Sequence, residues 1–202
     1  MELLYPVVMT ERSVLGATVV LVPLAEGFEE LEAVAIIDVL RRAGIVVRVA
    51  GLRPGPVTGS HGITLQTDCG LDEVDPAELA MLVLPGGQPG TDNLVQDARI
   101  LALVRELEGT GRRVAAICAA PLVLAAAGVL EGRAATAHPS VRNRLAGAKI
   151  MEHDRVVSAG KVLTSQGPGT ALEFAIEIVA DLRGRAEATE LARGMLVAGT
   201  PG

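Results

Sequence analysis

Cys118 is the side chain in this sequence best placed to act as a nucleophile. It ends the apolar run VAAI (114–117) and is followed by Ala119, Ala120, Pro121 and the helix-compatible LVLAAAG. Small neighbours let the chain bend sharply from strand to helix. Such a turn exposes the sulfur at the carboxyl end of a central strand, where open α/β sheets form their binding crevice. A helix N-terminus behind a thiol favours its anion, which predicts a pKa well below the ordinary value of about 8.5. A free cysteine also suits burial as a small hydrophobe, and position alone leaves both readings open.

Glu32 is the second chemistry-bearing position. At about 100° per residue, Asp38, Arg41 and Arg42 mark the polar face of a helix, and Glu32 falls on the opposite side with Ala35, Ile36, Val39 and Ala43. A buried carboxyl there has a raised pKa and can give a hydrogen bond to a nearby thiolate. Alternatively it joins Glu26, Glu29 and Glu30 as an acidic group complementing the macrodipole at a helix start. Pro85-Gly86-Gly87 follows the run MLVL and offers unhindered N–H groups. With that of Ala119 they can hold an oxyanion, although a strand-ending PGG is also an ordinary turn. His138, extended before Pro139 in TAHPS, is the histidine expected near Cys118 as a general acid/base, against the alternative of a solvated loop residue. His61 and His153 receive no chemical role, and Cys69 in TDCGLDE is read as incidental. SQGPGT (165–170) reads as the construction of a helix start.

These residues need a scaffold of strands and helices. From Ala17 onward, short β-branched runs alternate with helix-period stretches, beginning with ATVVLVP and EELEAVAIIDVLRRAG. Strands are expected at 45–50, 63–66, 81–85, 114–118, 155–158 and 161–164. Helices are expected over 31–43, near 92–108 with Thr91 as N-cap, from Pro121, and at about 170–182 and 186–197. MLVL and VAAI are apolar without alternation, as in strands covered on both faces of a parallel sheet, so the fold class is an α/β sandwich.

The chain has 202 residues, a length that favours one domain, taken as 17–202 after a loose N-terminal extension over 1–16. Its net charge of −6 and few aromatics (Tyr5, Phe28, Phe174) disfavour nucleic acid as a partner. No apolar run of about 18 residues is present to span a membrane. The two cysteines form no disulfide framework, no close-spaced zinc pattern occurs, and a reducing cytoplasm is the expected location.

Several separated motifs resemble the ThiJ/PfpI superfamily, in its DJ-one/YajL-like branch: EGFEELEAV (26–34), DVLRRAGI (38–45), VLPGG (83–87), AAICAAP (115–121), TAHP (136–139) and LTSQGPGT (163–170). The resemblance covers about 17–197. It implies a flavodoxin-like three-layer sandwich with a mostly parallel sheet, usually a homodimer. It further implies that Cys118 is the reactive cysteine on a strained elbow, that Glu32 hydrogen-bonds the sulfur, and that His138, Gly86 and Gly87 face it. In the superfamily's peptidase-like branches a histidine directly follows the nucleophile. Here that position is Ala119, which disfavours amide cleavage, since a poor leaving amine needs a placed acid.

Two activities follow as expectations. The first is a cofactor- and metal-independent glyoxalase or deglycase, in which Cys118 adds to a small 2-oxoaldehyde, or acts on its adducts with thiols and amines, in stress protection. The second is a redox sensor or holdase without turnover, in which Cys118 is oxidised to sulfinic acid.

Overall fold

Strand β1 (Val19–Leu24) sets the logic of the sheet, because every residue in it is buried. Val20, Val22 and Leu24 point into one apolar cluster and Val19 and Leu21 into another, so the strand is covered on both faces. The computed structural model describes residues 19–197; the extension expected over 1–16 lies outside the described residues. After β1 come α1 (Glu30–Arg42), β2 (Val46–Gly51), β3 (Pro56–Thr58), β4 (Thr64–Gln66), β5 (Cys69–Gly70) and β6 (Leu79–Leu84). Then follow α2 (Gly90–Gln96), α3 (Ala98–Gly109), β7 (Arg113–Ile117), α4 (Pro121–Ala126), β8 (Ala134–Ala135) and β9 (Lys149–Ile150). The described chain closes with β10 (Val156–Ala159), β11 (Val162–Ser165), α5 (Ala171–Arg183) and α6 (Arg185–Gly194).

The main sheet has the order β10-β11-β7-β6-β1-β2-β5. Its strands run parallel except β10, which pairs antiparallel with β11. Residues of α1, α5 and α6 pack with Val20, Val22, Met81, Val83, Ala115 and Ile117 on one face. Residues of α3 and α4 pack with Leu21, Leu82, Leu84, Val114 and Ala116 on the other. This is the three-layer flavodoxin-like α/β arrangement, and the carboxyl ends of β1, β6 and β7 lie side by side at one edge of it.

Helix α1 forms because residues 30–43 contain neither glycine nor proline, and both ends are closed. The Glu29 carboxylate accepts from the Glu32 amide at 2.7 Å, while Gly44, at φ 66°, lets Ile45 donate back to Leu40.

The structure corrects two sequence expectations and places two further segments. The helix expected over 92–108 is two helices, because Asp97 leaves the helical region (φ −85°, ψ 110°) and caps α3 by accepting from Arg99 at 2.9 Å. Thr91 is not an N-cap; it lies buried inside the first turn of α2, after Pro89. The strand expected at 63–66 is present as β4 and pairs with β3 in a hairpin separate from the main sheet. Cys69, read as incidental, starts the two-residue edge strand β5 beside β2.

Candidate active site

The turn between β7 and α4 carries Cys118 in the left-handed region, at φ 65°. A non-glycine residue reaches that conformation only when its surroundings impose it. Here the Cys118 amide donates to Ser165 of β11 at 3.0 Å, its carbonyl accepts from His138 at 2.9 Å, and Ala120 donates back to Ile117 at 3.0 Å. Backbone on both sides therefore fixes the elbow. The sulfur is less exposed than the sequence suggests, since Cys118 is half-buried.

Glu32 is completely buried on α1, on the apolar side that helical periodicity assigns to it. Its Oε2 accepts from the Gly86 amide at 2.8 Å, and its Oε1 makes no hydrogen bond of good geometry. A Cβ added at Gly86 would lie 2.7 Å from the Cys118 Cβ and 2.9 Å from Glu32 Oε2, so Gly86 marks the point where acid and thiol converge. Gly87 sits at φ 94°, too close to the Glu29 amide to carry a side chain.

Burial raises the proton affinity of both acids. Burial pushes the Glu32 carboxyl up to about 7, against the Gly86 amide and the Cys118 thiol, which pull it down, while the charge of Glu29 adds to the rise. Burial and then the neighbouring Glu32 carboxylate push the Cys118 thiol up to about 12; the amides of Ala119 and Gly87 act on the sulfur in the opposite direction. Burial and the like charge therefore act against the expected thiol pKa well below 8.5. The helix behind the sulfur has only six residues, too short for its dipole to outweigh burial and a like charge. The pair instead separates into an acid that loses its proton near neutrality and a thiol that keeps its own.

His138 is exposed and lies on the far side of a small gap. From the position of a Gly167 Cβ, the His138 Cδ2 is 3.5 Å away and the Cys118 sulfur 4.0 Å away. Ser140 places its hydroxyl 2.8 Å from His138 Nδ1 and donates its amide to the same nitrogen at 3.3 Å, leaving the proton of the neutral ring on Nε2. Gly167 was not a candidate in the sequence. Its conformation is extended, so it is the missing side chain that matters; the signal available was a glycine directly after a strand end in SQGPGT. Cys118, Glu32, Gly86, Gly87 and Ala119 therefore converge, with His138 at the rim.

His61, assigned no role from sequence, anchors the β3–β4 hairpin to α1. Its amide and Nδ1 lie 2.6 and 3.0 Å from the two oxygens of Glu30. Burial beneath the hairpin opposes ionisation of Glu30, but hydrogen bonds from His61 and the adjacent amides prevail and hold its carboxyl at about 2. Among the described residues, Glu29, Glu30 and His61 each bring one potential metal-ligand atom within 4.8 Å of the others, and the Glu30 oxygens there already accept from the hairpin.

A left-handed cysteine at a β7–α4 elbow, facing a buried glutamate across a glycine, defines a cysteine-centred site at the carboxyl edge of a flavodoxin-like sheet. Residues 18–181 match the DJ-1/PfpI family, and the chain belongs to that family. It is 43% identical to protein dj-1beta of Drosophila melanogaster over 180 residues, 88% of this chain and 96% of the relative. A Thermococcus kodakarensis protein named Deglycase TK1284 is 36% identical over 166 residues, 81% of this chain and 99% of that one. The chain spans 42% of the longer Arabidopsis thaliana DJ-1 homolog B, at 40% identity over 90% of this chain. Among solved structures, Drosophila melanogaster DJ-1beta superposes with a TM-score of 0.88 at 40% identity, covering 91% of this chain and all of that chain. Oxidized Toxoplasma gondii DJ-1 gives 0.85 at 36% identity, covering 90% and all.

Proposed function

We propose that the protein converts small 2-oxoaldehydes such as methylglyoxal, or their adducts on thiols and amines, to the hydroxyacid, using Cys118 as nucleophile and Glu32 as general base. The observation that carries this is the convergence of a half-buried thiol and a fully buried carboxylate at Gly86. With Glu32 titrating near 7 and the thiol far above it, the resting pair above neutrality is carboxylate plus thiol.

The sulfur attacks the aldehyde carbon as its proton passes to Glu32, forming a C–S bond. The amides of Gly87 and Ala119, which already act on the sulfur, hold the oxyanion until Glu32 returns the proton and a hemithioacetal results. The Glu32 carboxylate then takes the proton from the former aldehyde carbon and delivers it to the adjacent carbonyl carbon, with the hydroxyl proton passing from the first oxygen to the second. This leaves a thioester, and water cleaves it to lactate and the free thiol. The bonds and protons balance without an external oxidant or reductant. The name of the Thermococcus kodakarensis relative supports the deglycase branch of this reading.

Lactate formation from methylglyoxal is expected in the wild type and is expected to fall at least 100-fold in both Cys118→Ser and Glu32→Gln, on the order of the contribution of a nucleophile or base. Equal rates in all three proteins would end the proposal. The second reading, a redox sensor in which Cys118 becomes a sulfinic acid stabilised by Glu32, draws support from the oxidized state named for the Toxoplasma gondii structure. Selective peroxide modification of Cys118 with negligible aldehyde turnover would favour it. Either chemistry needs a free thiol, which supports a reducing compartment such as the cytoplasm.

A homodimer is proposed on a surface observation. Leu31, Val34 and Ile63 are 56, 45 and 56% exposed where α1 meets the β3–β4 hairpin, an unpartnered apolar patch beside the site.

A further inference from the structure

Glu32 is held by a closed circuit of three hydrogen bonds. The Glu29 amide donates to the Gly86 carbonyl at 2.9 Å, the Gly86 amide donates to Glu32 Oε2 at 2.8 Å, and the Glu32 amide donates to Glu29 Oε2 at 2.7 Å. Each member fixes the next. The circuit joins the first turn of α1 to the loop after β6, the two segments that meet at the thiol. Gly87, the next residue, approaches the Glu29 amide so closely that no side chain fits there.

We propose that Glu29 is a positioning residue for the Cys118–Glu32 pair, its carboxylate both clamping the start of α1 and setting the pH at which Glu32 becomes able to accept the thiol proton. The inference rests on reading Cys118 and Glu32 as the reacting pair. The clamp is geometric, since a carboxylate at this cap satisfies the Glu32 amide and orients the side chain that grows from it. The field is electrostatic. Glu29 is a like charge beside a carboxyl buried in a poorly polarisable setting, and it disfavours loss of the Glu32 proton. The other ionisable groups facing this assembly are the Cys118 thiol on the β7–α4 turn, Glu30 at the start of α1 and His61 from the hairpin, the last two having potential ligand atoms within 4.8 Å of one from Glu29.

The two roles separate by substitution. Glu29→Gln keeps an oxygen acceptor for the Glu32 amide and removes the charge, whereas Glu29→Ala removes both. The rate of Cys118 alkylation by iodoacetamide, followed by mass spectrometry from pH 5 to 9, reads the pair directly and needs no turnover, so it can fail or succeed independently of lactate formation. In Glu29→Gln the midpoint is expected to fall by about half a pH unit, with the plateau rate within about twofold of wild type. In Glu29→Ala the midpoint should fall similarly and the plateau drop several-fold. Glu26→Gln, which removes an exposed charge outside the circuit, should leave the profile in place. A Glu29→Gln profile superimposable on wild type, or an equal displacement in Glu26→Gln, would overturn the proposal.

Discussion

Cys118 combines a left-handed backbone, held by hydrogen bonds from both sides, with a half-buried sulfur beside the Glu32 carboxyl. The run of small residues after VAAI announces a tight turn, and the turn is there, with φ 65° at the cysteine. What a linear motif cannot convey is that the sulfur lies half-buried against a carboxylate, so that its proton is bound more tightly than usual. The sign of the pH dependence follows from that. Below about 7 Glu32 is protonated and cannot act as a base; as pH rises through that value the carboxylate appears and thiol reactivity climbs. Glu32→Gln should abolish this inflection. It also removes the like charge that raises the thiol, but burial remains, so alkylation should recover only at higher pH. At pH 7.5 the variant is expected to react roughly tenfold or more slowly than wild type, within the range of a lost general base. Faster alkylation of Glu32→Gln at that pH would show that the carboxylate suppresses the thiol without assisting it.

Among the elements, the most legible were those whose burial pattern repeats along the chain. The continuous apolar runs of β6 and β7 and the amphipathic α1 are readable because a parallel strand buried on both faces and a helix buried on one leave different periodicities. Less legible were features decided by one residue or by partners distant in sequence. Asp97 breaks a helix by competing for a nearby amide, β5 exists only because β2 offers it an edge, and the β3–β4 hairpin is held by Glu30 reaching 31 residues along the chain to His61. Of the site itself, Cys118, Glu32 and the glycines were legible from their positions; the Glu29 clamp and the Gly167 gap were not, since both are defined across loops. α5 belongs with the legible elements, and its Phe174 is fully buried in the cluster shared with α1. Phe174→Ala should lower unfolding free energy by about 3–5 kcal/mol, as for other buried aromatic truncations. A loss under about 1 kcal/mol in chemical denaturation would contradict this account of the layer.

For the whole molecule, the exposed leucine and valine of α1 lie on the helix that supplies Glu32 and is capped by Glu29, so an interface there would brace the acid side of the site. Sedimentation should give a particle of about twice 20.8 kDa for the wild type, and Leu31→Asp should shift it toward one chain by placing a charge in the apolar contact. A wild type that sediments as a single chain at high concentration would remove the dimer from the proposal. The elbow bears on the molecule's overall endurance in a different way. Its backbone is one that glycine would accept freely and that any L side chain occupies only under compulsion, at about 1–2 kcal/mol. Relaxing that spot would thus mean discarding the reagent, and a lineage that keeps the sulfur must tolerate a scaffold slightly nearer to melting than its packing alone would allow.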